Sequence, residues 1–359
     1  MKQRHLLLRY IVIEGYRYAR QTFANCLKRL HLLKRKPHYH PPLEFFRQYI
    51  LHLMRIRRLW AITSDLPPYC AAREGPGSQA LQIMRTISFA RAFGLTYLHS
   101  PFSTIYYPDE PRPEWPAVWE KVFNLGAGET PCDGLKSGVV YNTYTLANLD
   151  LCFGWRDRKK QLDDQFKALI PEFRRKYYLN KSRRTTGELT VAINIRRGEV
   201  SASENAFMYT ANDKILRIVN GVKSILETWA VPFNMKIYGQ GKATDFPELS
   251  PLGAESFLGA DPVWTMQELI EADILIMAKS CFSYYAGLIS DGIKIFESDG
   301  WPRIDNVFIP PFMWELFLEL DDWLPCQEDG SVDRAAFDRQ LALLLQAKKK
   351  AETGELTRR

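Results

Sequence analysis

The chain has 359 residues, 46% hydrophobic and 25% charged, a length and balance that suit a soluble globular protein with room for two domains. Its net charge of +7 is uneven: residues 1–60 hold 14 Lys or Arg against Glu14 and Glu44, a net +12, and the remainder holds 34 bases against 39 acids, a net −5. A fold that binds nucleic acid should be basic where it is folded, so this distribution argues against a nucleic-acid partner.

The first 58 residues read as a basic helical segment, residues 1–58 of a four-part organisation. Apolar residues such as Leu6, Leu7, Leu8, Ile11 and Ile13 are interrupted by Arg9, Glu14 and Arg17, which spoils a signal-peptide core. No apolar run is long enough to span a membrane. The segment is read either as a solvated helix or as a peripheral contact with an anionic membrane face. The six cysteines are widely spaced, and no Cys-x-x-Cys pair suggests a zinc site. A reducing, cytoplasmic setting is expected, with a peripheral place at the inner membrane face as the variant that lipid contact would add.

From residue 59 the pattern changes to alternating strands and helices. Residues 60–65 read as a short strand, Ala80 to Phe93 as a helix closed by Gly94, and Leu95 to His99 as the next strand. Residues 100–150 are rich in Pro, Trp and Tyr and show little period. Gln161 to Tyr178 reads as a helix, and the polar stretch 179–187 as a linker.

Leu189 to Glu199 is the central stretch of the second half. Leu189, Val191, Ile193 and Ile195 alternate with smaller or polar residues, and the strand ends on Arg196, Arg197 and Gly198. Helical spacing follows from Asn212 to Trp229, a strand over Met235–Tyr238, a short helix over Thr265–Glu271, and an apolar strand from Asp273 to Met277. Ala278 to Ser283 turns into a helix over residues 284–290, and Ile293–Phe296 is a further strand. The expected fold class is therefore α/β with parallel sheets, in two halves. The expected boundaries are 59–182, 183–325 and a C-terminal helix and frayed tail over 326–359.

Ligands in open α/β sheets bind beyond the carboxyl ends of strands. Two guanidiniums at such an end suit a phosphate or pyrophosphate, which arginine grips with paired hydrogen bonds. Ser280 and Ser283, at the start of a helix that follows a buried strand, offer hydroxyls and free amides to the same oxygens, though serine there equally caps a helix. No histidine lies beyond His99, and no carboxylate cluster in the second half has metal-ligand spacing, so no metal is expected.

These pieces resemble a known superfamily. Asn194-Ile-Arg-Arg-Gly-Glu is similar to the His-x-Arg-Arg-Gly-Asp motif of the α-1,2-, α-1,6- and protein O-fucosyltransferases. Residues 271–284 are similar to its later motif, an apolar strand followed by Ser-Ser-Phe-Ser, and Gly75-Pro-Gly-Ser-Gln resembles its Gly-x-Gly-Asn-Gln turn. The resemblance spans about residues 75–300. It implies a GT-B fold of two facing Rossmann-like domains and an inverting, metal-independent glycosyltransferase that moves L-fucose from GDP-fucose to a glycan hydroxyl. No cofactor is implied beyond that donor, and the partners would be the nucleotide sugar and the glycan acceptor. By the same resemblance Arg196 and Arg197 grip phosphate. Ser280, Cys281 and Ser283 form the phosphate turn, Asn194 and Thr265 lie near the base, and Gly75, Gly77 and Gln79 line the cleft. Glu199 and Glu204, both just after the arginine strand, are the candidate proton acceptors, and Glu199 is equally read as the residue that orients Arg196 by an ion pair. Asn194, Glu199 and Cys281 depart from the family pattern. Another GDP-sugar as donor, or a binding protein of this fold that has lost transfer, are the alternative readings.

Overall fold

The computed structural model describes residues 61–63, 75–105, 112–132, 139–141, 155–184, 187–297 and 320–353. The basic segment 1–58, with its expected lipid contact, lies outside the described residues. Among the described residues no helix is long and apolar enough to cross a membrane.

The first half comprises β1 (Ala61–Thr63), α1 (Pro76–Phe93), β2 (Thr96–His99), α2 (Trp115–Phe123), β3 (Thr130–Pro131), β4 (Val139–Tyr141) and α3 (Trp155–Tyr178). Its four strands lie in the order β3-β2-β1-β4, all parallel, with Ala61 in register with Thr96 on one side and Val139 on the other. Pro76 opens α1 where its missing N–H is not needed. Gly94 closes it in the left-handed region at φ 63°, and Leu95 N–H returns to the Ala90 carbonyl at 2.9 Å. Gln79, Gln82, Thr86 and Ser88 are buried along with Leu81, Met84 and Ile87, so α1 is a core helix rather than an amphipathic surface one.

The second half follows as β5 (Leu189–Ile195), α4 (Asn212–Thr228), β6 (Phe233–Gly239), β7 (Glu255–Leu258), α5 (Pro262–Glu271), β8 (Ile274–Ile276), α6 (Cys281–Ile289), β9 (Ile293–Glu297), β10 (Trp323–Cys326) and α7 (Arg334–Glu352). The sheet runs β10-β9-β8-β5-β6-β7, with every pairing parallel. Counted from β5, this is the 3-2-1-4-5-6 order of a Rossmann sheet. The period-2 pattern of β5 sorts as the sequence predicts. Leu189, Val191, Ile193 and Ile195 join the core under α4 and α7, and Ala192 faces the opposite core. The expected α/β chain with two Rossmann-like parallel sheets is met.

That second core runs without a break into the first half. The Phe123 ring lies 4.1 Å from that of Tyr285 and Trp119 stacks edge-on at 6.2 Å to Phe282, so α2 is bolted to α6 by aromatic contacts. At the far end, α7 continues through the lysines expected to fray: Lys348 Nζ sits 2.8 and 3.0 Å from the two Asp273 carboxylate oxygens, and the helix runs to Glu352. An ion pair to the loop before β8 ties down a stretch whose composition alone suggested disorder.

Candidate functional site

The doubly wound order has one topological switch point, between β5 and β8, where the chain leaves the sheet in opposite directions. The crevice beyond the carboxyl ends of these two strands is the place where such sheets take ligands. Here the polar part of the lining is Asn194, Arg196, Arg197, Thr210 and Glu297, and the floor is apolar, with Ile193, Ile215, Ile218, Ile276 and Ile295 of the core beneath.

The two arginines that leave β5 are held differently. Arg196 donates to Gln240 Oε1 at 3.1 Å and is ion-paired with Glu199, and its side chain keeps 30% of its surface open. Gly198, at φ 79°, makes the turn behind it, and Gln240 Oε1 lies 2.7 Å from where a Cβ would stand. Arg197 is turned inward. It donates to the carbonyls of Arg196 (2.8 Å) and Thr210 (2.9 Å) and to Asn212 Oδ1 (2.6 Å), between the rings of Tyr209 and Phe246. Burial lowers its pKa from the usual arginine value; guanidinium is so basic that it stays a cation.

On the other side of the switch point stands a lysine-rich group. Glu297 ends β9 with only 7% of its surface exposed. It accepts from Lys279 Nζ at 2.8 Å, Lys214 Nζ at 2.8 Å and Thr210 Oγ1 at 2.7 Å. Burial alone would raise its carboxyl pKa, but the bonds from Lys214, Lys279 and Thr210 outweigh that and hold it below the usual range. Arg196, Arg197, Lys214 and Lys279 against Glu199 and Glu297 leave two net positive charges around the crevice. That is the complement of a diphosphate.

Beside this group, Ser280 caps α6, its Oγ accepting from Ser283 N–H at 3.1 Å, and Ser283 Oγ accepts from Ala278 N–H at 3.1 Å. Both hydroxyl oxygens thus brace the turn. The Ser280 cap also lets α6 begin at Cys281, three residues before the start read from the sequence. Asn194 donates to the Tyr238 carbonyl at 3.4 Å from within β5.

No family model matches the chain, and no curated protein matches it. Two solved structures are similar: crystal structures of the protein O-fucosyltransferase POFUT1, one with GDP-fucose at 11% identity and one with GDP at 12%. Each match covers 66% of this chain and 94% or 95% of the other, with a TM-score of 0.33.

The remaining residues singled out in the sequence are spread wider. Thr265 is buried within α5 and bonds its amide to the Asp261 carbonyl. Gln79 is 2% exposed and fastens the 103–104 loop, donating to the Thr104 carbonyl at 2.8 Å. Gly75 caps α1 in extended backbone with open space around it, and Gly77 abuts α6. A Cβ on Gly77 would stand 2.7 Å from the Cys281 carbonyl and from the Phe282 N and Cα. Gly77 therefore sets how closely the start of α1 approaches the start of α6. Gly77→Val is expected to destabilise by about 1–3 kcal/mol in chemical unfolding, the usual cost of overpacking. Gly75→Ala serves as the matched control with a smaller change. Equal midpoints for the two variants would remove the close approach from the account.

Glu204 is exposed on the 200–205 loop, where its carbonyl accepts from Ser201 N–H. Among the described residues, no three His, Cys, Asp or Glu are grouped to hold one metal ion. Lys214, Thr210 and Glu297 escaped the sequence reading, and Lys279 entered it only as the first residue of the turn Lys279–Ser283. The available signal was Glu297 itself, an acid that closes a strand apolar enough to be buried throughout.

Proposed function

We propose that the chain is a nucleotide-sugar glycosyltransferase that moves L-fucose from GDP-fucose to a glycan hydroxyl with inversion and without a metal. The observation that carries the reading is the switch point of the second sheet, where Arg196 and Arg197 leave β5 and Lys279 and Ser280 leave β8. Cations placed there offset the charge that develops on a departing diphosphate. Inversion follows from a single in-line displacement. The acceptor oxygen bonds to the anomeric carbon, the bond to the diphosphate breaks, and a carboxylate takes the acceptor's proton. Glu199 serves as that base once Arg196 turns toward phosphate and releases it.

Thermal unfolding with GDP, UDP and ADP tests the donor, since a ligand of the folded state raises apparent stability by mass action. Stabilisation by GDP, and release of GDP from GDP-fucose faster than from GDP-mannose, is the expected result. A shift with UDP or ADP and none with GDP overturns the donor assignment. The inward turn of Arg197, whose bonds go to Thr210 and Asn212, favours a second reading as a binding protein of the same fold. It predicts stabilisation by GDP with no turnover of any GDP-sugar.

Because arginine and lysine supply the counter-charge in this mechanism, transfer is expected to survive EDTA. Loss of activity in the chelator with recovery on Mg²⁺ or Mn²⁺ would show the charge balance to be otherwise.

A further inference from the structure

We propose that Lys279 is a third cationic ligand of the donor's phosphate chain, presented by Glu297. The inference rests on the nucleotide-sugar reading of the crevice and adds a residue to it. Lys279 follows Ala278, which lines the crevice, and directly precedes the cap of α6. Its side chain is 8% exposed, and Nζ lies 2.8 Å from Oε1 of Glu297, another lining residue. An ammonium has three hydrogens to donate. Glu297 takes one, and Lys279 makes no other hydrogen bond among the described residues. Glu297 is also shared with Lys214 and Thr210, so it is a partial partner to each.

A lysine brought this far out of water for a structural pair alone is poorly repaid, because desolvation offsets the attraction. A second anion reaching the unused hydrogens restores the balance. Arg196 and Arg197 leave the β5 end, whereas Lys279 leaves the β8 end, so Lys279 supplies positive charge from the opposite side of the switch point. Glu297 acts as a positioning residue: with three donors on it, the carboxylate cannot swing, and the lysine head is held where the strand ends.

The test compares binding of a nucleoside diphosphate with binding of its nucleoside, by calorimetry, on the full chain. Wild type, Lys279→Met and Lys279→Arg are used, each first checked for its unfolding midpoint without ligand. Lys279→Met keeps the apolar stem and leaves Glu297 with Lys214 and Thr210. Lys279→Met is expected to lose on the order of tenfold or more in diphosphate affinity, the scale of one charge-assisted hydrogen bond, while nucleoside affinity is unchanged. Lys279→Arg should recover part of the loss, which a merely structural role would not produce in the diphosphate-to-nucleoside ratio. Equal ratios in wild type and Lys279→Met overturn the proposal. If Lys279→Met does not fold, the ratio for Lys279→Arg decides, an unchanged value counting against a phosphate contact because the guanidinium presents its donors differently. GDP, UDP and ADP are run in parallel. Binding of UDP or ADP alone refutes the GDP-sugar reading while still measuring Lys279 on that ligand. No binding of any of them to wild type refutes both.

Discussion

Arg196→Ala is expected to lower transfer from the nucleotide sugar by on the order of a hundredfold or more, with the fold intact. The size is that of removing one preorganised contact to a developing anion. The fold should tolerate the change because Arg196 is 30% exposed and its ties are to Gln240 and to Glu199, itself 40% exposed. Arg197→Ala should also abolish transfer, but for a mixed reason. It strips donors from the carbonyls of Arg196 and Thr210 and leaves a gap between Tyr209 and Phe246, so the unfolding midpoint should fall with activity. Comparing kcat/KM with denaturant midpoints for the two variants separates the roles. Arg196→Ala activity within about threefold of wild type would remove it from the phosphate grip, since that is under 1 kcal/mol of transition-state energy.

Glu297→Ala should destabilise by about 3–5 kcal/mol, because it leaves two lysines without their shared carboxylate in a place that water scarcely reaches. The acid limb of stability carries the same signature. The folded pKa of Glu297 lies below its ordinary value, so the unfolded chain binds the proton more readily. Its contribution is thus present above the ordinary glutamate pKa and is lost as pH falls through the lower folded value. Urea midpoints for wild type and Glu297→Gln, taken from neutral to acid pH, should therefore draw together on the acid side. Parallel pH curves would mean that Glu297 is not the group that titrates there.

What the sequence determined by itself is the part that nearest neighbours enforce. The alternation of β5, the apolar run of β8 and the closing of α1 by Gly94 are local, and each appears where the residue types require it, whereas α1 begins at Pro76, four residues before the expected start at Ala80. With strands and helices alternating, a parallel α/β arrangement follows, and so does the placing of Arg196 and Arg197 at a strand end. The tertiary structure decided the rest. Helix α2 lies in the stretch read as having little period; Trp115, Trp119 and Phe123 do recur every four residues, and what they pack on, one another and α6, was set by the fold. The short strands β7 and β10 exist as the two edges of the second sheet, each hydrogen-bonded to one strand only, β6 and β9. Whether an arginine points into the crevice or into the loop was settled by Thr210, Asn212 and Phe246, up to 49 positions from Arg197. Glu297 meets Lys214 across 83 positions. A charge's partner is set by the fold that brings two strand ends together, and no local pattern of residues encodes that distance.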